Sequence, residues 1–225
     1  TLKIIMQIKK VDLVIAPEYL STAVISLFSS VPTVLVTPGN IYERLLNGNP
    51  FDWFTTQYLK LCARLSARNC FLINAISEDM RKWWQFSGAD SNKILVLPYG
   101  VQTNLFKPIK YARAMLYLPP DKTIILYVGR LSPEKNVDLL LTALSLISQR
   151  LNQFDVRIVG DGPEKESLQR SARKLGLDSI VHFEGYISRD KLAKWYSSAD
   201  VCVMPSTSEP LGRVMFEALA CGTLF

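Results

Sequence analysis

The chain has 225 residues, of which 48% are hydrophobic and 20% charged. These proportions lie in the ordinary globular range, which excludes a disordered or collagen-like chain, and the length corresponds to about one and a half domains. The formal net charge of +6 is spread along the chain without a basic tail or arm. This distribution disfavours nucleic-acid binding and leaves anionic substrates or an anionic membrane surface open as partners.

Cysteine and histidine usage excludes the common metal and disulfide classes. The four cysteines form no C-x-x-C pair, and His182 is the single histidine, so we expect neither a zinc site nor a disulfide framework. No apolar run approaches the ~18 residues of a membrane span, and no signal peptide is recognisable. These features predict a cytoplasmic protein with reduced thiols, and contact with the inner face of a membrane stays open.

The first part of the chain alternates strands and helices. We predict strands at 11–16, 32–37, 70–75 and 94–97. The predicted helices are the end of one at 3–10, one that ends at 29, one over 57–67 and one after Ser77. Ser77 has the side chain of an N-cap for the helix that contains Trp83 and Trp84. The segment 98–108, rich in Pro, Gly, Gln and Asn, is typical of a linker.

The second part shows the same alternation more clearly. Strands are predicted at 123–128, 155–159, 179–183 and 200–204, and helices from 136, from Pro163, over 190–197 and over 213–220. In the helix from Pro163, residues 168, 171, 172 and 175 form the inner face, and Gly176 ends it. For this part of the chain, the order indicates right-handed crossovers and a parallel sheet covered on both faces. We therefore predict an α/β fold of two Rossmann-like units, with a cleft between them.

The loop after the strand at 123–128 contains two cations. Gly129 allows close backbone approach, and Arg130 and Lys135 lie five residues apart just before a helix. Such a pair forms an anion cradle, because the start of a helix also attracts negative charge. The alternative is that both are solvated surface cations.

Glycines mark the next two loops. Gly160 and Gly162 follow a strand, but the third glycine of G-x-G-x-x-G is absent because Lys165 stands there. This departure disfavours a Rossmann oxidoreductase and favours a tight turn. Gly185, followed by Tyr186, lets a planar base lie against the backbone, although a plain turn explains it equally well.

The fourth loop places two glutamates eight residues apart, Glu209 and Glu217, around Gly212 and a helix start. The free N–H groups there can hold anionic oxygens, and the two carboxylates can accept hydrogen bonds from a sugar and a ribose. The alternative is an ion pair between Arg213 and Glu217 on an exposed helix face, with Glu209 uninvolved.

Together these segments resemble one known family. The segments are 128–136, 159–163, 183–185, the Glu209 and Glu217 spacing, the linker 97–108 and, less specifically, Ser77–Glu78. The first four, in this order, resemble the donor domain of GT-B glycosyltransferases of family 4, the glycosyl transferases group 1 type. The linker resembles that family's inter-domain segment, and Ser77–Glu78 resembles the helix start before it. The resemblance implies an incomplete acceptor-side domain over 1–104 and an incomplete nucleotide-sugar-binding domain over 105–225.

The resemblance also implies residue roles. Arg130 and Lys135 would neutralise the diphosphate of a UDP-sugar or GDP-sugar in place of a metal, and the sequence has no D-x-D pair. Glu209 would hold the transferred sugar and Glu217 the ribose. The other implied donor-binding residues are Gly129, Gly160, Gly162, Gly185 and Tyr186 (the last two beside the base), and Leu211, Gly212 and Arg213 around the phosphates. The reaction implied is retaining hexosyl transfer to a glycan or lipid-linked acceptor.

Departures from the family pattern concern the acceptor side and the two ends. The linker has Tyr99 and Gln102 where Asn and Asp are common, and 38–40 reads Pro-Gly-Asn where many relatives carry a histidine. The family's first strand and its glycine loop have no match, and the chain stops soon after Gly222. We therefore expect a fragment lacking both ends; the alternatives are a non-catalytic nucleotide-sugar-binding module or an inactive fragment.

One helix carries a row of cations. Lys60, Arg64 and Arg68 recur every four residues, so they lie on one side of the predicted helix over 57–67 and just beyond it. Two interpretations stay open: contact with anionic lipid headgroups, or an ordinary solvated face.

Overall fold

The computed structural model describes residues 11–36, 52–148, 153–207, 209 and 211–225. The helix end predicted at 3–10 and the Pro-Gly-Asn segment at 38–40 lie outside the described residues. The chain divides into two compact units, Thr1–Tyr99 and Gly100–Phe225. The assignment of acceptor and nucleotide sugar to the predicted domains 1–104 and 105–225 stays a prediction.

The first unit contains a four-stranded parallel sheet in the order β1-β2-β3-β4. Its strands are β1 (Val14–Ala16), β2 (Thr33–Val36), β3 (Leu72–Ala75) and β4 (Ile94–Val96), and its helices are α1 (Tyr19–Phe28), α2 (Asp52–Asn69) and α3 (Glu78–Phe86). Helix α2 begins five residues earlier than predicted, and its sequence before Gln57 has no breaker that would stop it.

Side-chain caps begin two of these helices. Ser77, as predicted, is the N-cap of α3, and its hydroxyl accepts a hydrogen bond from the Met80 N–H at 3.3 Å. At α1 the carboxylate of Glu18 accepts from the N–H groups of Ser21 and Leu20 at 2.8 and 3.1 Å. Both caps satisfy helix N–H groups that have no acceptor within the helix.

The two faces of this sheet differ in how they are covered. Leu35 and Ile73 on one face are fully buried, and above them Tyr19 of α1 meets Trp84 of α3 edge to face at 5.4 Å. On the opposite face Ile15 and Leu95 are exposed. Among the described residues, helices therefore cover one face of this sheet, and side chains on the other face are exposed.

The second unit contains a parallel sheet in the order β7-β6-β5-β8. Its strands are β5 (Thr123–Val128), β6 (Phe154–Val159), β7 (Val181–Gly185) and β8 (Val201–Cys202). Its helices are α4 (Ala112–Met115), α5 (Val137–Ser148), α6 (Lys165–Lys174), α7 (Arg189–Ser198) and α8 (Arg213–Ala220). Among the described residues of this unit, only α4, a single turn, lies outside the predicted helices. Strand β8 is shorter than the strand predicted over 200–204.

Both faces of this second sheet are buried, as predicted. Ile124 and Leu126 point into a core with α7 and α8, whereas Ile125 and Tyr127 point into a core with α5 and α6. Successive residues of a strand point to opposite faces, so the continuous apolar run of β5 is what a doubly covered parallel strand requires.

The bounds of α6 differ from the prediction at both ends. Pro163 is not its first residue. The N–H of Lys165 donates to the carbonyl of Gly162, which closes a turn over Pro163, and the helix begins at Lys165. Leu175 is exposed, and Leu177 is fully buried in its place. Gly176, with φ of 69°, ends the helix as predicted and reverses the chain, which brings Leu177 back onto the core.

Two further findings concern membranes and thiols. Within the part of the chain that the structure describes, no helix is both long and apolar enough to cross a membrane. All four cysteines are buried and unpaired. Burial raises the pKa of the Cys70 thiol to about 11 and that of the Cys202 thiol to about 12, so both are protonated at neutral pH.

Candidate active site

The four predicted loops meet at one edge of the second sheet. All four strands are parallel, so their carboxyl ends share that edge. The chain leaves β5 toward β6 and β7, and it returns on the other side of β5 as β8. In open α/β sheets, the crevice at such a reversal of strand order is the usual ligand position.

The loop after β5 is held at both ends. The buried hydroxyl of Tyr127 donates to the carbonyl of Arg130 at 2.9 Å, and burial raises the pKa of Tyr127, which keeps this hydroxyl a donor. A turn of 3₁₀-helix at Pro133–Lys135 follows. Asn136 then takes a left-handed conformation, with φ of 49°, and its side chain donates to the carbonyl of Pro205 at 3.2 Å. The loops after β5 and β8 are thus joined across the reversal point.

The two predicted cations of this loop, Arg130 and Lys135, differ in their burial and in their partners. Lys135 is partly buried, and its Nζ is paired with a carboxylate oxygen of Glu209 at 2.5 Å, whereas Arg130 is exposed. Nearby, the Ser132 hydroxyl donates to Glu134 at 2.6 Å and lowers the pKa of that carboxyl. The structure therefore brings Lys135 and Glu209 together from two separate loops, and Arg130 is the more accessible cation.

Gly160 and Gly162 have a packing role that is independent of any ligand. A Cβ on Gly160 would lie 1.8 Å from the carbonyl oxygen of Gly129, and one on Gly162 would lie 2.2 Å from that of Leu131. The N–H of Gly129 donates to Val159 at 3.0 Å, so the two loops run backbone against backbone. Only glycine fits at these two positions.

The loop after β7 reaches the same edge through Gly185. Its carbonyl accepts from the N–H of Gly160 at 2.8 Å, and its φ of 73° turns the chain. Tyr186 follows and is exposed. The structure places Tyr186 beside the glycine loops, and its contact with a base stays a prediction.

The loop after β8 leads into α8 through Gly212. This residue is the N-cap, with φ of 68°, and a Cβ there would lie 3.1 Å from the Met204 side chain. The N–H groups at the start of a helix have no acceptor within it and attract negative charge. Leu211 is partly buried and Arg213 is exposed on either side of the cap; residues 208 and 210 lie outside the described residues.

Glu217 is held by two other helix residues. One carboxylate oxygen accepts from the Tyr196 hydroxyl at 2.9 Å, and the other accepts from the Arg189 guanidinium at 3.2 Å. The Arg213 guanidinium lies 3.9 Å away, so the expected helical pair is present, but the Glu217 side chain is only 9% exposed. The alternative of an exposed ion pair is therefore wrong, because α7 covers this side of α8.

Sequence reasoning missed Arg189 and Tyr196. Both lie in α7, and Tyr196 is 21 residues from Glu217 in sequence. Burial and the neighbouring carboxylate raise the pKa of Tyr196, so its hydroxyl donates at any physiological pH. No local pattern indicates this contact, because it depends on how α7 packs against α8.

Removing the Glu217 carboxylate should lower stability. We expect Glu217→Ala to reduce the free energy of unfolding by about 2 kcal/mol, because the buried Tyr196 hydroxyl loses its acceptor. Glu217→Gln keeps an acceptor oxygen and should cost less. Urea unfolding measures both, with Glu166→Ala as the control. Glu166 is exposed, and its carboxylate lies 3.7 Å from the exposed Arg170 guanidinium, so its removal leaves no buried group without a partner. An equally small loss for both alanine variants would contradict this expectation.

His182 lies away from the four loops. It is in β7, as predicted, with its Nε2 3.6 Å from Asp155, and burial lowers its pKa. Arg157 bridges Asp155 and Glu184 in the same cluster, with its contact to Glu184 at 2.7 Å. Across the described ranges, no group of three or more His, Cys, Asp or Glu side chains is arranged to hold a metal ion.

Comparison with known families decides the classification. The family described as glycosyl transferases group 1 matches residues 110–225, which include all four loops. The chain belongs to this family. The predicted relation to the group 1 type is thereby confirmed.

Curated relatives of this group 1 chain are longer. It is 40% identical over 148 residues to D-inositol 3-phosphate glycosyltransferase 2 of Catenulispora acidiphila, covering 60% of the chain and 34% of that protein. It is also 36% identical over 169 residues to D-inositol 3-phosphate glycosyltransferase of Thermomonospora curvata, and that match covers 68% of the chain and 39% of the relative. The chain thus spans between a third and two fifths of these relatives' length.

Solved structures confirm the fold class. Anabaena HepE in complex with UDP matches with a TM-score of 0.83 at 24% identity, over 99% of this chain and 61% of that one. Sucrose-phosphate synthase from Thermosynechococcus elongatus matches with a TM-score of 0.84 at 25% identity, over 99% and 57%. HepE in complex with UDP-glucose matches with a TM-score of 0.78 at 25% identity, over 99% of this chain and 61% of that one. The predicted α/β fold with two Rossmann-like parallel sheets, that of GT-B glycosyltransferases, is confirmed.

Proposed function

We propose that this chain provides the donor site of a retaining hexosyltransferase that uses a UDP-sugar or GDP-sugar. One observation carries the proposal: Lys135 and Glu209, from different loops, meet at 2.5 Å at the reversal of strand order. A cation and a carboxylate at that crevice suit the phosphate and the hydroxyl groups of a sugar nucleotide. Family membership supports the reaction class, and the HepE complexes with UDP and UDP-glucose support the donor class.

The diphosphate binds between the cations and the start of α8. Arg130 is exposed and free to turn toward a ligand, and Lys135 exchanges its carboxylate partner for a phosphate oxygen. The N–H groups around Gly212 add hydrogen bonds from Leu211 and Arg213. Two side-chain cations stabilise the charge that develops on the departing phosphate, so the transfer is metal-independent.

The rest of the donor lies along the same edge. Glu217, fixed by Tyr196 and Arg189, accepts a hydrogen bond from the ribose, since a carboxylate has about four acceptor sites. Gly185 and Tyr186 flank the base. Glu209, released from Lys135, accepts from hydroxyl groups of the transferred sugar.

The reaction proceeds on one face of the sugar. The bond between the anomeric carbon and the β-phosphate oxygen breaks, and a bond from that carbon to an acceptor hydroxyl oxygen forms on the same face. The proton of the hydroxyl passes to the departing phosphate oxygen. Configuration is retained, and the products are the glycosylated acceptor and the nucleoside diphosphate.

Product analysis tests the reaction. The chain is incubated with UDP-glucose and either a glycan, a lipid-linked sugar or D-inositol 3-phosphate, the acceptor in the names of its relatives. NMR of the product should show the anomeric configuration of the donor. Inversion would refute the retaining mechanism, and donor binding without transfer to any acceptor would favour a non-catalytic nucleotide-sugar-binding module or an inactive fragment.

Neutralising Glu209 tests its exchange between Lys135 and the sugar. We expect Glu209→Gln to bind UDP severalfold more tightly, because Lys135 no longer has to leave a carboxylate. The same variant should lose most of the preference for UDP-glucose over UDP, because an amide is a weaker partner for sugar hydroxyls than a carboxylate. Calorimetry with both ligands measures this, with Glu166→Gln as the exposed control. Weaker UDP binding by Glu209→Gln would contradict the exchange.

A further inference from the structure

Helix α2 of the first unit has an exposed apolar stripe. Its other side is buried and includes Cys62, Ala63, Ser66 and Ala67. On the exposed side Phe54, Tyr58 and Leu61 are 77%, 49% and 55% accessible. Their spacing of four and three residues places them in one row along the helix. Three large apolar side chains in a row on a helix surface differ from the scattered single ones that a soluble protein normally exposes.

A cationic stripe runs beside the apolar one. Lys60, Arg64 and Arg68 are exposed and spaced four residues apart. At 100° per residue, the two stripes lie about 90° apart around the axis, and together they cover the side opposite the buried one. Between 53 and 69 the helix contains no Asp or Glu, whereas solvated helix faces usually mix both signs.

We propose that this surface of α2, formed by the two stripes, docks on an anionic phospholipid bilayer. An apolar row flanked by cations is the pattern of a helix that lies in the membrane interface. There the apolar side chains enter the acyl boundary, the aromatic hydroxyl of Tyr58 stays at headgroup level, and the long stems of Lys60 and Arg64 reach the phosphates.

Charge and surface chemistry favour this occupant over others. A second copy of the chain, related by a two-fold axis, would bring two cationic stripes together, which costs energy. A nucleic acid would use the cations but leave the apolar stripe in water. A bilayer with anionic headgroups satisfies both stripes at once, because it offers negative charge above an apolar layer.

Docking goes beyond the proposed donor site. It involves the first unit, and its test measures binding without transfer, so failure of one proposal leaves the other intact. The chain is mixed with sucrose-loaded vesicles of phosphatidylcholine, alone or with phosphatidylglycerol, and the bound fraction is measured after sedimentation. We expect the chain to bind the anionic vesicles. This binding should weaken as salt rises from about 0.1 M to about 1 M, because the Debye length shortens.

Two pairs of substitutions separate the stripes. Lys60→Gln with Arg64→Gln should weaken binding about tenfold or more, because each basic residue near an anionic surface contributes about 1 kcal/mol. Tyr58→Ser with Leu61→Ser should remove the binding that survives high salt. The matched control is Lys82→Gln with Phe86→Ser on α3, where both side chains are exposed. All four side chains replaced in the test variants are exposed, and circular dichroism verifies that each variant is folded.

The control pair should bind like the unchanged chain. Equal binding to neutral and anionic vesicles, or equal losses in the test and control variants, would overturn the proposal. So would an absence of binding to the anionic vesicles, with or without tight binding of a nucleic acid, or a dimer that the α2 substitutions dissociate.

Discussion

Replacing both Arg130 and Lys135 by alanine is expected to weaken UDP binding by about a hundredfold or more. Each cation makes a charge-assisted hydrogen bond to the diphosphate in the proposed complex, and such bonds contribute about 1.5–3 kcal/mol each. Calorimetry measures the loss. Uridine lacks phosphates, so its affinity should be the same for the variant and the unchanged chain, which isolates the phosphate contribution.

The two single substitutions should not be equivalent. Lys135→Ala leaves Glu209 without its cation, so an unpaired carboxylate then faces the diphosphate. Arg130→Ala removes an exposed cation and leaves that pair in place. We therefore expect the larger loss from Lys135→Ala, and partial recovery in Lys135→Ala with Glu209→Ala, because the two residues are coupled.

An exposed lysine in the same unit provides the control for this series. Lys174 lies in the last turn of α6, and Lys174→Ala changes the net charge by the same amount as either single variant. UDP affinity unchanged in the double variant, or reduced equally by Lys174→Ala, would contradict the phosphate cradle. A parallel loss for uridine would also contradict it, by indicating damage to the fold.

Sequence patterning predicted the second unit well where burial decides the structure. Strand β5 and helix α8 have the predicted bounds, because a continuous apolar run and a regular apolar face are bounded by Gly129 and Gly222. The prediction failed where short-range geometry decides. Lys165 rather than Pro163 begins α6, since the turn after Gly162 is stabilised by a backbone hydrogen bond that composition does not reveal.

The candidate site shows the same division. Position at the end of a parallel strand was sufficient to select Arg130, Lys135 and Glu209, and the structure places the last two in contact. The hydrogen bonds from Arg189 and Tyr196 to Glu217 could not be predicted from the sequence, because they join two helices whose packing depends on the tertiary structure. Sequence spacing favoured a tight turn at Gly160 and Gly162, and only the family resemblance implied a contact with the donor. The structure adds that both glycines are required for the close contact between the loops after β5 and β6.

That contact predicts a large loss of stability for Gly160→Ala. The new Cβ would lie 1.8 Å from the carbonyl oxygen of Gly129, and the φ of 145° is one that L-residues rarely adopt. We expect the free energy of unfolding of the second unit to fall by about 3–5 kcal/mol, the upper range for single substitutions. Hydrogen exchange at the β5 and β6 amides measures it for this unit alone.

Gly176→Ala separates the backbone conformation from the clash. Gly176 also has a positive φ, 69°, but a Cβ there would meet nothing within 4 Å, so its cost should be only about 1–2 kcal/mol. Gly160→Ala must also displace the Gly129 carbonyl, and with it the loop that carries Arg130. UDP affinity should therefore fall with Gly160→Ala and stay unchanged with Gly176→Ala. Equal effects of the two substitutions on stability would mean that the loops after β5 and β6 separate easily, and the cradle would then lack the rigid support that phosphate binding requires.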